Sequence, residues 1–149
     1  MKGPWSIGLP IACAIIGMLV FVPPAVAERL SVSSPVGNVR SGPGTDYAVM
    51  WQVERYHPIS VIEKKGSWYR FRDFENDEGW IHKSLLGNTP SVITQRPKCN
   101  VRSGPGMDDE VIFTVGKGVP FKVLGKQGQW IHIEHADGDR GWIHQSLVW

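Results

Sequence analysis

The most reactive side chains in this chain belong to one cysteine and to a recurring histidine. Cys99 stands directly before Asn-Val-Arg, and His82 and His144 each follow Gly-Trp-Ile. A nucleophilic cysteine needs surroundings that lower its pKa, such as a helix N-terminus, whereas the sequence around Cys99 is typical of strands and turns. A zinc site needs three or four converging ligands, and neither histidine has a cysteine or a carboxylate cluster near it. We therefore predict no catalytic residue, no metal site and no cofactor.

Length, charge and aromatic content exclude further classes of function. The chain has 149 residues, and 16 Lys and Arg against 14 Asp and Glu leave a formal charge of +2. This small excess argues against a nucleic-acid partner, and the length excludes a large multidomain enzyme. Seven tryptophans are many for such a chain. They indicate either a small core that depends on indole rings or a surface that stacks on a ligand.

Residues 1–27 have the pattern of an export signal. Lys2 precedes an apolar run at residues 7–22, and Ala25-Val26-Ala27 fits a small-residue cleavage site. We predict cleavage after Ala27 and a secreted or periplasmic mature chain without a stable membrane span; the alternative is a retained anchor. The mature chain then keeps one cysteine, Cys99. It is a buried apolar side chain, a bridge between two chains or a reactive thiol.

A tandem repeat occupies the rest of the chain. Residues 38–44 read N-V-R-S-G-P-G, and the same letters return at residues 100–106, an offset of 62. The same offset relates Trp68 to Trp130 and the G-W-I-H of residues 79–82 to that of residues 141–144. We therefore predict two small domains, at residues 28–88 and 89–149.

Each repeat has the signals of short strands and tight turns. Residues 59–63 and 68–71 are rich in β-formers and flank Lys-Lys-Gly-Ser, which predicts a hairpin. Asp137-Gly138 predicts another hairpin, with Asn76 at the equivalent place because asparagine tolerates the left-handed conformation. Gly42-Pro43-Gly44 predicts a type II turn with a positive φ at Gly44. The fold class is all-β, and so few residues favour a small closed barrel in each unit.

These motifs together resemble the bacterial SH3 (SH3b-like) family. The residues that carry the resemblance are N-V-R-S-G-P-G, a tryptophan that opens a central strand, and G-W-I-H followed by Ser-Leu. The resemblance covers both halves of the mature chain. It implies two tandem SH3-like β-barrels and a binding role outside the cytoplasm, commonly toward cell-wall peptides or protein partners, and it leaves the ligand open.

Aromatic residues are the candidate ligand contacts. By analogy with SH3-like barrels, Trp68 and Trp130 line a shallow groove for an extended peptide; the alternative is that each indole covers one end of a small core. The first repeat has more aromatic anchors than the second, so we predict that it is the binder, through Tyr47, Trp68 and Trp80. The whole candidate set is Tyr47, Trp51, Tyr56, Trp68, Trp80, Trp130 and Trp142.

Arg40 and Arg102 lie inside the repeated motif and have two candidate roles. A guanidinium there either stacks on Trp80 or Trp142 and holds the following loop, or it binds a ligand carboxylate in a bidentate manner. Because both repeats keep the arginine while their loops differ, we favour the loop-positioning role. The acidic residues 108–110 of the second loop indicate either a solvated turn or a site for a cationic partner.

The sequence as a whole predicts an exported, non-catalytic binding module that captures a peptidoglycan stem peptide or another extended peptide. The alternatives are a structural or adaptor protein that binds an envelope protein, and a wall hydrolase that depends on Cys99. The short linker at residues 87–90 favours a fixed orientation of the barrels. Trp149 is predicted to dock between them.

Overall fold

The computed structural model describes Gly3 and residues 27–149, so the predicted export signal falls almost wholly outside the described residues. These residues form two antiparallel sheets with two single 3₁₀ turns, which confirms the all-β class. In this described part, no helix has the length and apolarity that a membrane crossing requires.

The first sheet has seven strands in the order β3-β2-β6-β5-β4-β1-β7. Its strands are β1 (Glu28–Val32), β2 (Val36–Arg40), β3 (Val49–Glu54), β4 (Pro58–Lys65), β5 (Trp68–Arg72), β6 (Glu78–His82) and β7 (Leu86–Gly87). A 3₁₀ turn, Lys83–Leu85, joins the last two strands.

The second sheet has six strands in the order β10-β9-β13-β12-β11-β8, which repeats the order of the first sheet without a counterpart of β7. Its strands are β8 (Ser91–Ile93), β9 (Cys99–Arg102), β10 (Val111–Val115), β11 (Pro120–Gln127), β12 (Trp130–Glu134) and β13 (Arg140–His144), followed by the 3₁₀ turn Gln145–Leu147. The predicted division at residue 88 lies between the two sheets, and its precise position stays a prediction.

Each barrel has its own apolar core, because alternate residues of the strands point inward. Phe71 and Phe121 are the largest fully buried side chains of the first and second core. Around them pack the inward-facing aliphatic residues, including Val39 and Ile81 in one barrel and Val101, Ile133 and Ile143 in the other.

The hairpin predictions are confirmed. β4 pairs with β5 and β11 with β12 across turns at Gly66 and Gly128, which both have φ 57°. β12 pairs with β13 across the turn at Asp137-Gly138. Asn76 (φ 64°) occupies the left-handed position that Gly138 (φ 99°) occupies in the second barrel, as predicted.

The type II turn predicted at Gly42-Pro43-Gly44 is wrong. Gly44 does not have a left-handed φ, so its backbone conformation is open to other residues. Gly42 is needed for space instead. A Cβ at Gly42 would collide with the ring of Tyr47, which lies against the turn, and the carboxyl group of Asp109 lies in the same way against Gly104.

The two barrels touch each other at Trp149. Its backbone exchanges two hydrogen bonds with Ile93 in β8, and the guanidinium of Arg29 in β1 lies 3.8 Å from the centre of its indole ring. A second contact is the ion pair between Glu75 and Lys117. These contacts agree with the predicted docking of Trp149 between the barrels.

Candidate functional site

An open groove of about 450 Å³ lies on the first barrel, and Trp68 is its aromatic wall. Trp68 begins β5, directly after the hairpin turn, and pairs across the sheet with His82 at the end of β6. The groove is lined by Val36, Asn38, Arg40, Thr45, Gln52, Trp68, His82, Ser84 and Leu85.

The second barrel has the same groove, with a volume of about 390 Å³. Eight of the nine lining residues in each groove correspond at the 62-residue offset. Six of these pairs are identical: asparagine, arginine, tryptophan, histidine, serine and leucine. The other two pairs are Val36 with Lys98 and Thr45 with Met107. The duplication therefore repeats a surface site as well as a fold.

A fixed tryptophan–histidine pair forms the wall of each groove. The rings of Trp68 and His82 meet edge to face, with centroids 5.2 Å apart and an angle of 82°, and Trp130 and His144 meet at 5.2 Å and 83°. Both tryptophans are only half buried, so part of each indole is open to a ligand. Such a surface suits a flat peptide group or an apolar side chain.

The 3₁₀ turn after β6 orients the imidazole of His82. The backbone N–H of Ser84 donates to Nδ1 of His82 at 3.2 Å, and Ser84 Oγ lies 2.7 Å from the same nitrogen. Because Nδ1 accepts a hydrogen bond, the proton of the neutral ring is on Nε2. His144 and Ser146 repeat both distances in the second barrel.

The repeated arginines hold the loops that border the grooves. Nη1 of Arg40 donates to the carbonyl oxygens of Thr45 at 3.1 Å and Tyr47 at 2.9 Å. Arg102 makes the equivalent bonds to Met107 and Asp109 at the same two distances. This geometry supports the loop-positioning role. The cation over the face of Trp80 is Lys65, at 5.8 Å, rather than Arg40.

Three of the predicted aromatic residues lie away from the groove lining. Trp51 packs on the first core and meets Phe71 edge to face at 6.4 Å. Tyr56 lies in the turn between β3 and β4 with φ 71°. Trp80 shares a sheet face with Trp68 but is 92% buried, its accessible fraction being 8%.

Trp142 and Tyr47 are partly or largely exposed, but neither belongs to the groove lining. Trp142 stacks on His132 at 4.6 Å with 12° between the rings, which covers one face of the indole. Tyr47 is exposed at the tip of the loop that Arg40 holds, next to the groove. The structure thus places Trp68 and Arg40 in the first groove, and Trp130 and Arg102 in the second.

The polar lining of the grooves was not predicted from the sequence. Asn38, His82 and Ser84, with Asn100, His144 and Ser146, are repeated in both units at the 62-residue offset. That repetition is the signal that could have identified them, because all six are at least partly exposed and core packing does not explain why both repeats have them.

Cys99 is fully buried in the core of the second barrel. Burial raises the pKa of its thiol, so the reactive thiolate is disfavoured. Of the three fates considered for this cysteine, the geometry fits the buried apolar side chain. Within residues 27–149, no three His, Cys, Asp or Glu side chains are grouped as metal ligands.

Comparison with known proteins gives the family. Residues 33–87 and 95–149 each match the bacterial SH3 domain. The chain belongs to the bacterial SH3 domain family. The two matches lie on the two barrels, so the tandem arrangement inferred from the repeat is confirmed.

The relatives of these bacterial SH3 domains include cell-wall amidases. Over 122 residues the chain is 28% identical to "Putative N-acetylmuramoyl-L-alanine amidase YrvJ" of Bacillus subtilis, covering 74% of this chain and 23% of the relative. Over 52 residues it is 40% identical to "Probable cell wall amidase LytH" of Staphylococcus aureus, covering 34% of this chain and 18% of the relative. The chain therefore spans less than a quarter of the length of these relatives.

One solved structure with detectable likeness is an NlpC/P60 family protein from Bacillus cereus. It aligns with 82% of this chain and with 56% of its own chain, at 12% sequence identity and a TM-score of 0.39.

Proposed function

We propose that the protein is a non-catalytic binding module of the bacterial cell envelope, which captures an extended peptide of the cell wall in the groove beside Trp68. The observation that carries the proposal is the duplicated groove. In both barrels an exposed indole, an oriented imidazole and a loop fixed by arginine converge at equivalent positions.

The geometry suits a peptide better than a compact ligand. The groove is open, one wall is the indole of Trp68, and the polar groups around it are hydrogen-bonding side chains such as Asn38 and Ser84. An extended peptide would stack one residue on Trp68 and hydrogen-bond its backbone to these side chains. The peptides of peptidoglycan are the proposed ligand because one relative of this chain is named as a probable cell wall amidase and another as a putative N-acetylmuramoyl-L-alanine amidase.

A binding role without catalysis is supported by the position of Cys99. This cysteine is inaccessible, and its raised pKa disfavours the thiolate that a hydrolase would need. The similarity to the amidases covers residues that form the two barrels here. An extracytoplasmic location follows from the same proposal, since the ligand lies outside the cytoplasm.

The test is sedimentation of the purified protein with peptidoglycan sacculi. We expect the unchanged protein to sediment and Trp68→Ala to lose most of this binding. The matched control is Trp142→Ala, which removes a half-buried indole that stacks on His132 outside the grooves and should leave binding unchanged. Equal losses in both variants would show that the groove is not the binding site.

The second candidate is an adaptor that binds an envelope protein. The observation that favours it is apolar surface on the edge strands: Val49 and Met50 in β3, and Val111 and Ile112 in β10, are exposed at equivalent positions. If the unchanged protein does not sediment with sacculi, wall binding is discarded and this candidate replaces it.

A further inference from the structure

One difference between the two grooves lies directly against the histidine of the groove wall. In the second barrel, Nε2 of His144 lies 3.2 Å from Oε1 of Gln129, the residue directly before Trp130. Gln129 also lines the second groove. In the first barrel the equivalent residue is Ser67, which does not line the groove and whose side chain is too short to reach the ring.

The two imidazoles are otherwise in the same place. The two distances from Nδ1 to the serine and the distance between the ring centroids are equal in the two barrels, and the angles between the rings are 82° and 83°. Nε2 of His82 therefore faces the same space that Gln129 fills in the second barrel. Among the described residues, no hydrogen-bond partner of Nε2 of His82 is found, whereas Nδ1 is occupied by Ser84.

The chemistry of this nitrogen is fixed by its neighbour. Because Nδ1 accepts from the backbone of Ser84, the neutral ring of His82 carries its proton on Nε2 and presents a donor to the groove. A donor beside an indole ring matches the carbonyl oxygen of a peptide group that packs on that ring. In the second barrel the same donor is already satisfied by the amide oxygen of Gln129.

We propose that His82 Nε2–H is the hydrogen-bond donor for a peptide carbonyl in the first groove, and that the residue at position 67 or 129 decides whether a groove offers this donor. The inference rests on the proposed function, because it names the contact by which the same groove binds its ligand. It makes the first groove the stronger site for a reason other than its additional aromatic residues. Gln129 acts as an internal substitute for the ligand carbonyl, and a ligand must displace it from His144.

The test exchanges the two residues and measures each groove alone. Ser67→Gln is made in a Trp130→Ala background, so that the first groove is the one measured, with Ser67→Ala as the matched control that adds no amide. Gln129→Ser is made in a Trp68→Ala background, with Gln127→Ser on the same hairpin as its control. Binding to purified sacculi is measured by sedimentation over a range of protein concentrations.

We expect Ser67→Gln to weaken binding by about fivefold to tenfold, the effect of one hydrogen bond, and Gln129→Ser to strengthen it by a similar factor. Both controls should stay within twofold of their backgrounds. Imidazole ¹⁵N spectra provide a readout that needs no ligand. The Nε2 proton of His144 should exchange slowly in the unchanged protein, and that of His82 should become slow in Ser67→Gln.

The outcomes separate this inference from the proposed function. If the unchanged protein does not bind sacculi, both are overturned. If it binds through Trp68 and the exchanged variants bind like their controls, the inference alone is overturned. An imidazole proton of His144 that exchanges as fast as that of His82 also overturns it, because Gln129 then does not occupy the donor.

Discussion

The two barrels have the same central groove residues but differ in the residues that border the groove. The tryptophan, histidine, serine and arginine of the groove have nearly identical geometry in both copies. The differences lie at the border. Tyr47 packs on the glycine turn of the first barrel and Asp109 on that of the second, and Val36 is replaced by Lys98. The shared groups position the site, so ligand preference is expected to follow from the residues that differ.

A second difference lies on the side of the first barrel that contacts the second barrel. His57 is buried where the second barrel has Val119, and its ring lies 6.1 Å from Phe74. Burial lowers the pKa of His57 to about 4, and its Nε2 has no partner within the described residues. The first barrel therefore keeps a buried neutral imidazole for which the second barrel has an aliphatic side chain.

The largest expected effect is a pH dependence of stability confined to the first barrel. An unfolded chain protonates His57 below its ordinary pKa of 6.5, whereas the folded barrel does not until about pH 4. The contribution of His57 to the free energy of unfolding should therefore fall as the pH drops from 6.5 to 4, by about 3 kcal/mol in total. Amide hydrogen exchange in β4 and β11 measures the two barrels separately.

The control is His57→Val, which gives the first barrel the residue of the second. This variant should flatten the pH dependence of exchange in β4 and leave β11 unchanged. An unchanged slope in β4 would mean that a group other than His57 carries the pH dependence, and the comparison of His57 with Val119 would fail.

The next effect should be equal in the two barrels. Arg40→Met and Arg102→Met each remove two hydrogen bonds to loop carbonyls with the same distances. Because the bonds lie near the surface, we expect each variant to lower the free energy of unfolding of its own barrel by about 1 kcal/mol. Urea denaturation followed by the same two sets of amides measures both losses. A loss in one barrel and none in the other would show that the loops are held differently.

A third effect, no larger than the second, concerns the turn after β3 and β10. Tyr56 has φ 71° where the second barrel has Gly118 with φ 84°. A side chain in the left-handed region is strained, so Gly118→Ala should destabilise the second barrel by about 1 kcal/mol. Tyr56→Gly should change the stability of the first barrel by less than this, because relief of strain is offset by the greater freedom of glycine in the unfolded chain. Thermal unfolding of the two variants distinguishes these results, and a stabilising Gly118→Ala would contradict them.

Much of the fold follows from the sequence because its signals are local. The hairpins follow from Lys-Lys-Gly-Ser and Asp-Gly, and Asn76 follows from the left-handed turn that it shares with Gly138. The turn at Gly42 is different. Gly42 is required by Tyr47, a residue farther along the chain whose ring needs the space, and turn statistics do not contain that contact.

The site was predictable in part for the same reason. Trp68 and Trp80 both lie on predicted strands, and the sequence alone does not say which indole is covered. Coverage depends on cross-strand neighbours such as Lys65, which lies over Trp80, and on the depth of each strand in the barrel. The polar lining, such as Asn38 and Ser84, was missed because short polar residues at strand ends are common on any surface.

The most direct test of the central claim is to map the ligand contact on the protein itself. ¹⁵N spectra of the protein are recorded while soluble muropeptides, released from sacculi by a muramidase, are added. We predict that the largest shifts fall on the indole N–H of Trp68, the side-chain amide of Asn38 and the imidazole of His82, with smaller shifts at Trp130 and His144. Shifts centred on Val49 and Met50 or on Trp149 would contradict the account, and so would the absence of shifts at a large excess of muropeptide.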